Sequence, residues 1–397
     1  MPWAVSLRQR SAFPQRFPLC PGRSRGCILS DIMMIRSKTP LRIAQVAPLY
    51  ESVPPKLYGG TERVVSYLTE ELVELGHQVT LFASGDSETN ARLIPCCPKA
   101  LRLNPDCVDQ LAYHYVMLDE IFERAEQFDI IHFHIEYLHF PLSRISGVPQ
   151  VTTLHGRLDL SGLPPLYQKY PDMPLVSISR SQRKPLLFAN WVRNVYHGLP
   201  AGLLSPGDGG GKYLAFLGRI SPEKRVDRAI EIALQVGMPL KIAAKIDRVD
   251  REYFETKIKP MLNNPGVEYI GEITEKQKSD FLGNAYAYLF PIDWPEPFGL
   301  TVIEAMACGT PTIAFHHGSV PELITQGTSG FIVDNMKDAA TAVGRVESLD
   351  RAACRSAFEM RFTGSRMAKD YVKLYESMLS IRALSVETTQ VDSLLTQ

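Results

Sequence analysis

Two carboxylates eight residues apart, Glu296 and Glu304, flank a glycine in the segment FPIDWPEPFGLTVIEAMACGTP, residues 290 to 311. A buried-type strand ends at Pro291, a Pro-flanked loop carries Trp294 and Glu296, and Gly299-Leu300-Thr301 opens a helix that closes near Gly309. Gly299 lets a ligand approach the backbone, and the N–H groups behind it form an anion site. Each carboxylate has a second reading. Thr301-x-x-Glu304 spells a capping box, which would make Glu304 a helix cap, and Glu296 is equally a solvated loop carboxylate.

Two cations form the next candidate. AFLGRISPEKRVDRAIEIAL, residues 215 to 234, reads as strand, turn and helix. Ser221 is expected to cap that helix and Pro222 to occupy its first turn, with Val226, Ile230, Ala233 and Leu234 facing inward. Arg219 then leaves the strand's carboxyl end and Lys224 sits in the first helical turn, where a cation opposes the helix dipole. A forked guanidinium and a point-charge ammonium converging near a helix start suit a phosphate. The alternative is solvated surface charge. In TTLHGR, His155 lies just past a strand end, which would face it into a cleft, with a structural histidine as the other reading. His132 and His134 flank Phe133 on one strand, and no carboxylate or third histidine stands at ligand spacing to make them a metal site. Gly59 and Gly60, in YGGTER, precede a helix and permit close approach, although an ordinary strand-to-helix turn uses the same residues.

Strand and helix patterns alternate from residue 41 and would position these groups. Continuous apolar runs at 42 to 47, 79 to 83, 129 to 135, 150 to 154 and 174 to 178 predict parallel strands covered on both faces. Val64, Val65, Leu68, Leu72 and Leu75 predict a helix over 61 to 75 that stops at Gly76. Pro and Gly accumulate over 196 to 212 and mark a linker. Strand patterns resume at 213 to 218, 240 to 244, 267 to 270, 287 to 291, 311 to 315 and 330 to 333. The expected fold is α/β, two Rossmann-like doubly wound domains facing across a cleft. The expected organisation is a leader or disordered extension over 1–40, an N-terminal domain over 41–200, a C-terminal domain over 201–363, a helix over 364–381 that crosses back to the N-domain, and a disordered tail over 382–397. The basic, apolar stretch SRSQRKPLLFANW, residues 179 to 191, reads as a capped helix at the cleft rim.

Composition narrows the function. The 397 residues hold 43 Lys plus Arg and 43 Asp plus Glu, so no basic footprint for nucleic acid exists. The balance hides a net +5 over residues 1 to 36 against −5 elsewhere. That first segment is Pro- and Arg-rich and has no apolar h-region of a secretory signal. No apolar run reaches the ~20 residues of a bilayer span. Seven cysteines without a CxxC pair suggest neither a zinc knuckle nor a disulfide framework, and a reducing cytoplasm is the expected compartment. GDGGGK, residues 207 to 212, lacks P-loop spacing; no GxGxxG follows the first strand, and HExxH and GxSxG are absent.

Taken together, the E-x7-E of Glu296 and Glu304, the EPFGL context, the GRISPEK of 218 to 224 and the YGGTER of 58 to 63 resemble the family 4 glycosyltransferases of the GT-B fold, over about residues 41 to 380. The resemblance implies transfer of a hexosyl-type group from a nucleoside-diphosphate sugar with retention of anomeric configuration. It implies that Arg219 and Lys224 hold the donor diphosphate, Glu304 the ribose hydroxyls and Glu296 a hydroxyl of the donor sugar. The amides of Gly299, Leu300 and Thr301 would meet sugar or phosphate oxygens. Gly59, Gly60 and Thr61 would form the acceptor-side loop, with Gly60 also touching the donor, and His155 would lie in the reaction centre. No cofactor and no metal are expected, since the cations replace one and no acidic cluster is evident. The expected partners are the nucleotide sugar and a sugar, lipid or small-molecule acceptor, with no nucleic acid; peripheral membrane contact is left open. A nucleotide-sugar epimerase, a phosphorylase and a non-catalytic nucleotide-sugar-binding protein are the competing readings. Two stretches depart from the family pattern: His197-Gly198-Leu199-Pro200 at the junction and Ala244-Lys245-Ile246-Asp247 after the second C-domain strand.

Overall fold

The computed structural model describes residues 39–57, 59–102 and 104–395, with side chains through residue 383. The Arg-rich leader, up to residue 38, and Tyr58 of YGGTER lie outside the described residues. The apolar runs form strands because each is covered on both faces. β1 (Arg42–Val46), β2 (Gln78–Ser84), β3 (Arg92–Cys97), β4 (Ile130–Phe133), β5 (Gln150–Thr153), β6 (Leu175–Ser177) and β7 (Trp191–Asn194) make a parallel sheet of order β3-β2-β1-β4-β5-β6-β7. β8 (Leu214–Arg219), β9 (Leu240–Lys245), β10 (Val267–Gly271), β11 (Ala287–Phe290), β12 (Thr312–Phe315) and β13 (Gly330–Val333) make a second parallel sheet of order β10-β9-β8-β11-β12-β13.

The strand order reverses once in each sheet, between β1 and β4 and between β8 and β11. Chains leaving the carboxyl ends of such neighbours turn to opposite faces and open a crevice, the usual ligand position in open α/β sheets. The fold class read from the sequence is the one observed. Helix α1 (Gly60–Glu74) buries Val64, Val65, Leu68 and Leu72 and ends before Gly76, whose φ is 87°. One apolar cluster runs from Leu68 and Val176 through Leu199 to Phe298, Phe362 and Tyr371, so the two halves and the end of the chain share a core.

Four expectations are corrected. The edge strands β3 and β7 have no counterpart in the sequence reading, because RLIPCC and WVRN are only partly buried and lack a continuous apolar run. The helix after β8, α2 (Val226–Val236), starts at Val226 with Arg225 left-handed before it at φ 55°. Ser221 does not cap it; its carbonyl accepts the N–H groups of Lys224 and Arg225 in a turn, so Lys224 precedes the helix and does not oppose its dipole. The 179 to 191 stretch folds as a short 3-10 turn, Ser181–Leu186, in which Ser179 Oγ accepts the Gln182 N–H at 3.0 Å. The last helix, α5 (Gly364–Leu395), continues past residue 381 where a disordered tail was expected; no Gly or Pro interrupts 382–395. Met367, Ala368, Tyr371, Leu374 and Tyr375 bury its first half, and Tyr371 and Tyr375 reach Thr153 and His132 of the N-terminal sheet.

The Gly-rich linker is pinned. Arg351 donates to the carbonyls of Gly207, Gly283 and Ala285 and to Thr310 Oγ1 at 2.8 to 3.1 Å.

Candidate active site

Loops from the carboxyl ends of both sheets line a cavity of about 650 Å³, within the range of small-molecule sites. The N-terminal half contributes Gly59, Gly60, Thr61, Glu136 and His155; the C-terminal half contributes Arg219, Lys224, Glu296, Gly299 to Thr301 and Glu304. All the sequence candidates therefore meet in one place.

Arg219, at the end of β8, is held by Glu223 and lies 3.6 Å from Asp247 and 3.3 Å from Asp250. Burial raises the Glu223 carboxyl, but its own backbone N–H and Arg219 outweigh that and hold it below the ordinary range. Lys224 forms an ion pair with Glu296 across 72 residues of sequence, and Trp294 Nε1 donates to the same carboxylate at 2.9 Å. The Lys224 ammonium also sits 5.1 Å from the Trp294 ring centre, within cation–π range. Glu296 is thus no solvated loop carboxylate: its side chain is 12% exposed.

Helix α4 (Leu300–Ala307) starts behind Gly299, whose φ of 100° suits a residue without Cβ. The capping box is not formed. Gly299 is the N-cap, and Thr301 Oγ1 accepts the Tyr288 hydroxyl at 2.7 Å. Glu304, one turn further on, receives Lys278 Nζ on Oε1 at 2.7 Å, while its buried Oε2 has no partner among the described residues. The capping pattern was satisfied by residue types, yet the true cap lies two residues earlier because the left-handed glycine makes the turn. Lys278 belongs to helix α3 (Glu275–Gly283), which precedes α4 in the chain. It continues through Glu275, 3.2 Å away, to Arg63 of α1, 2.5 Å from that carboxylate, and so joins the two halves. On the facing loop, a Cβ on Gly60 would come 3.5 Å from Leu300 Cδ1, so the glycine loop and the start of α4 are in contact distance.

His155 follows β5. Its backbone N–H and that of Gly156 donate to Glu136 Oε1, each at 3.2 Å, and its ring stacks on His197 at 5.2 Å between centroids. Burial pushes the His155 ring down to about 3, which keeps it neutral. His132 and His134 lie wholly inside the fold and serve hydrogen bonds: His132 meets Thr153 and Tyr375, and His134 meets Gln45 and His155. Among the described residues no group of three His, Cys, Asp or Glu side chains could hold a metal ion. Burial also raises the Glu51 and Glu62 carboxyls near the N-terminal wall, where Arg102 lies 3.2 Å from Glu51.

Sequence reasoning missed Lys278, Trp294, His197 and Gln45 as members of this arrangement. Lys278 sits in EKQKSD, an ordinary surface-type run, and only the approach of α3 to α4 gives it meaning. His197 lay in the departing HGLP junction; its backbone, with Leu199, receives the returning chain, and Leu199 N–H donates to the Phe362 carbonyl at 2.9 Å. Lys245, of the other departing stretch, pairs with Asp247 at 3.0 Å. No helix among the described residues is long and apolar enough to cross a membrane.

Residues 58–197 match the family model described as Glycosyltransferase Family 4, and residues 205–355 match the one described as Glycosyl transferases group 1. A protein of Klebsiella pneumoniae described as an uncharacterized 41.2 kDa protein in the cps region is 30% identical over 173 residues, 41% of this chain and 46% of that protein. The chain spans less than half the length of the curated relatives it matches first. Among solved structures, AviGT4, a glycosyltransferase involved in avilamycin A biosynthesis, superposes with TM-score 0.68 at 22% identity, covering 86% of this chain and 98% of that one. Anabaena Alr3699/HepE in complex with UDP and glucose superposes with TM-score 0.68 at 15% identity, covering 85% and 100%.

Proposed function

Because the chain belongs to the family 4 glycosyltransferases and has the GT-B fold, we propose that it moves a sugar from a nucleoside-diphosphate sugar to an acceptor hydroxyl, with retention of anomeric configuration and without a metal. The observation that carries this reading is the convergence of Arg219, the Lys224–Glu296 pair and the N-terminus of α4 at the carboxyl edge of the second sheet.

The reaction breaks the bond between the anomeric carbon and the terminal phosphate oxygen, whose electron pair leaves with the diphosphate. Arg219, Lys224 and the amides of Leu300 and Thr301 are the groups that would bind that growing negative charge. A preorganised donor aimed at such charge is worth about 3 kcal/mol. The acceptor oxygen bonds to the anomeric carbon on the face the phosphate leaves, and its proton passes to a departing phosphate oxygen. Glu296, already neutralised by Lys224 and Trp294, is suited to hold a sugar hydroxyl and has no role as nucleophile in this scheme. Glu304 would bind a ribose hydroxyl with Oε2, which has no partner among the described residues. Enclosure of the cavity by both halves would keep water from hydrolysing the donor.

A thermal-shift screen of UDP, GDP and ADP sugars tests donor binding, since a ligand of the native state raises stability by RT ln(1 + [L]/Kd). Chromatography of the best donor with a mixed pool of sugar and lipid acceptors then reads transfer. The expected result is a selective shift and acceptor-dependent release of nucleoside diphosphate. Conversion of donor without acceptor, or binding without turnover across the pool, overturns the reading.

A further inference from the structure

We propose that Tyr375, Gln45 and His134 are positioning residues: their hydrogen bonds hold His155 as the tautomer with its proton on Nε2, so that Nδ1 is left as an acceptor for a hydroxyl of the donor sugar. The substrate end of this inference rests on the reading of the reaction centre given above. The wiring does not.

The links form one chain. Tyr375 Oη is 2.7 Å from His132 Nδ1 and 3.3 Å from Gln45 Nε2. Gln45 Oε1 is 2.8 Å from His134 Nε2, and His134 Nδ1 is 2.9 Å from His155 Nε2. An amide oxygen has no proton to give, so His134 donates from Nε2. A neutral imidazole carries a single N–H; His134 Nδ1 must then accept, and His155 Nε2 must donate. The remaining His155 nitrogen, Nδ1, is buried and has no hydrogen-bond partner among the described residues. It therefore offers a lone pair.

The placement of the Gln45 amide sets the direction of the chain: its NH₂ lies 3.3 Å from Tyr375 Oη and 3.5 Å from His132 Nδ1, and its carbonyl faces His134. With Tyr375 Oη and His132 Nδ1 both facing that NH₂, the consistent set has the Tyr375 hydroxyl donating to His132 Nδ1 and His132 Nε2 donating to Thr153 Oγ1, 2.7 Å away. A reversed amide would reverse every later link and put a proton on His155 Nδ1. Burial keeps His132 and His134 well below the ordinary histidine range and His155 at about 3, so every ring in the chain is neutral at pH 7. The relay also explains a structural expense: three fully buried polar side chains, Gln45, His132 and His134, sit in the centre of the first sheet, where apolar residues would satisfy packing with less need for partners. Its origin on α5 gives the last helix a task at the first sheet's carboxyl edge.

The test reads the His155 ring directly. In full-length protein labelled with ¹⁵N-histidine, long-range ¹H–¹⁵N correlation at pH 7, with His155→Gln used to assign the signals, should show a pyridine-type Nδ1 and a pyrrole-type Nε2. Tyr375→Phe and Gln45→Leu should each mix or reverse the two, while Tyr213→Phe, whose hydroxyl donates to the Phe281 carbonyl and touches no member of the chain, should not. His134→Phe should lower kcat by about 10-fold or more with donor KM changed less than about two-fold, the scale seen when an orienting partner of a functional histidine is lost. A pyrrole-type Nδ1 in the wild type overturns the relay, as does an unchanged His155 signal in both Tyr375→Phe and Gln45→Leu. A correct tautomer in a protein that transfers no sugar leaves the relay standing and removes the transferase reading instead.

Discussion

Lys278 Nζ lies 2.7 Å from Glu304 Oε1, and Glu304 is only 3% exposed in its side chain. The carboxylate that the family resemblance assigns to the ribose is therefore charge-compensated from a neighbouring helix and, through Glu275 and Arg63, from the opposite half of the molecule. Ion pairs this shielded are costly to break from one side, because the surviving charge remains buried.

Lys278→Ala should accordingly destabilise the fold by about 3 kcal/mol, read as a lower urea midpoint at unchanged slope. Lys278→Met combined with Glu304→Leu should recover much of that loss. Equal loss in the single and double variants would show that the cost is one of packing and not of a stranded charge.

Lys224→Ala removes one cation from the proposed diphosphate site and leaves Glu296 with the Trp294 N–H. The proposed transfer should fall about 10²- to 10³-fold in kcat/KM, with weaker binding of the free nucleoside diphosphate by calorimetry and a lower melting temperature, because Glu296 keeps its charge at 12% exposure with one cation fewer. Normal turnover would take Lys224 out of the site.

Gly318 supports the loop that carries Glu296. Its φ is 55°, and a Cβ there would lie 2.3 Å from the Glu296 nitrogen and 2.4 Å from its oxygen. Both are backbone atoms, so Gly318→Ala must displace the loop. We expect a stability loss of about 2 kcal/mol or more together with a fall in kcat. At Gly76, φ is 87° but no atom of the described residues lies within 4 Å of the added Cβ; Gly76→Ala should cost about 1 kcal/mol and leave turnover intact. Equal effects at both positions would discount the contact with Glu296.

The buried histidines predict acid lability. His132, His134 and His197 lie well below the ordinary value of 6.5, and His155 is pushed down to about 3, in each case first by burial. Below pH 6.5 the unfolded chain takes up protons that the native state refuses, so stability falls as pH falls, by roughly a kcal/mol per pH unit for each histidine until the native rings titrate. Glu51, Glu62 and Glu136 are raised above 4.5 by burial and act in the opposite sense, gaining stability on acidification through their native values toward 4.5. Melting temperature should therefore drop between pH 7.5 and 5.5; a flat profile would contradict neutral burial of the cluster.

The positions of the central strands along the chain follow from local chemistry: RIAQV, VTLFA and AYLF are apolar enough to be covered on both faces, and Gly76 and Gly299 mark turns whatever surrounds them. Arg219, Lys224, Glu296 and Glu304 stand out in the sequence by residue type and by their resemblance to the family motifs, and the structure brings them to one cavity. Local pattern failed where the outcome depended on distant partners. Thr301 and Glu304 have the spacing of a cap, yet Tyr288 and Lys278 claim them. Ser221 has the type of a cap, yet the turn through Arg225 moves the helix start. Residue type and spacing thus settle what the backbone does over a few residues. Which carboxylate meets which cation, and which nitrogen of His155 carries the proton, is decided by contacts between groups 21 to 330 residues apart, because hydrogen bonds and ion pairs act over ångströms of space and not along the chain.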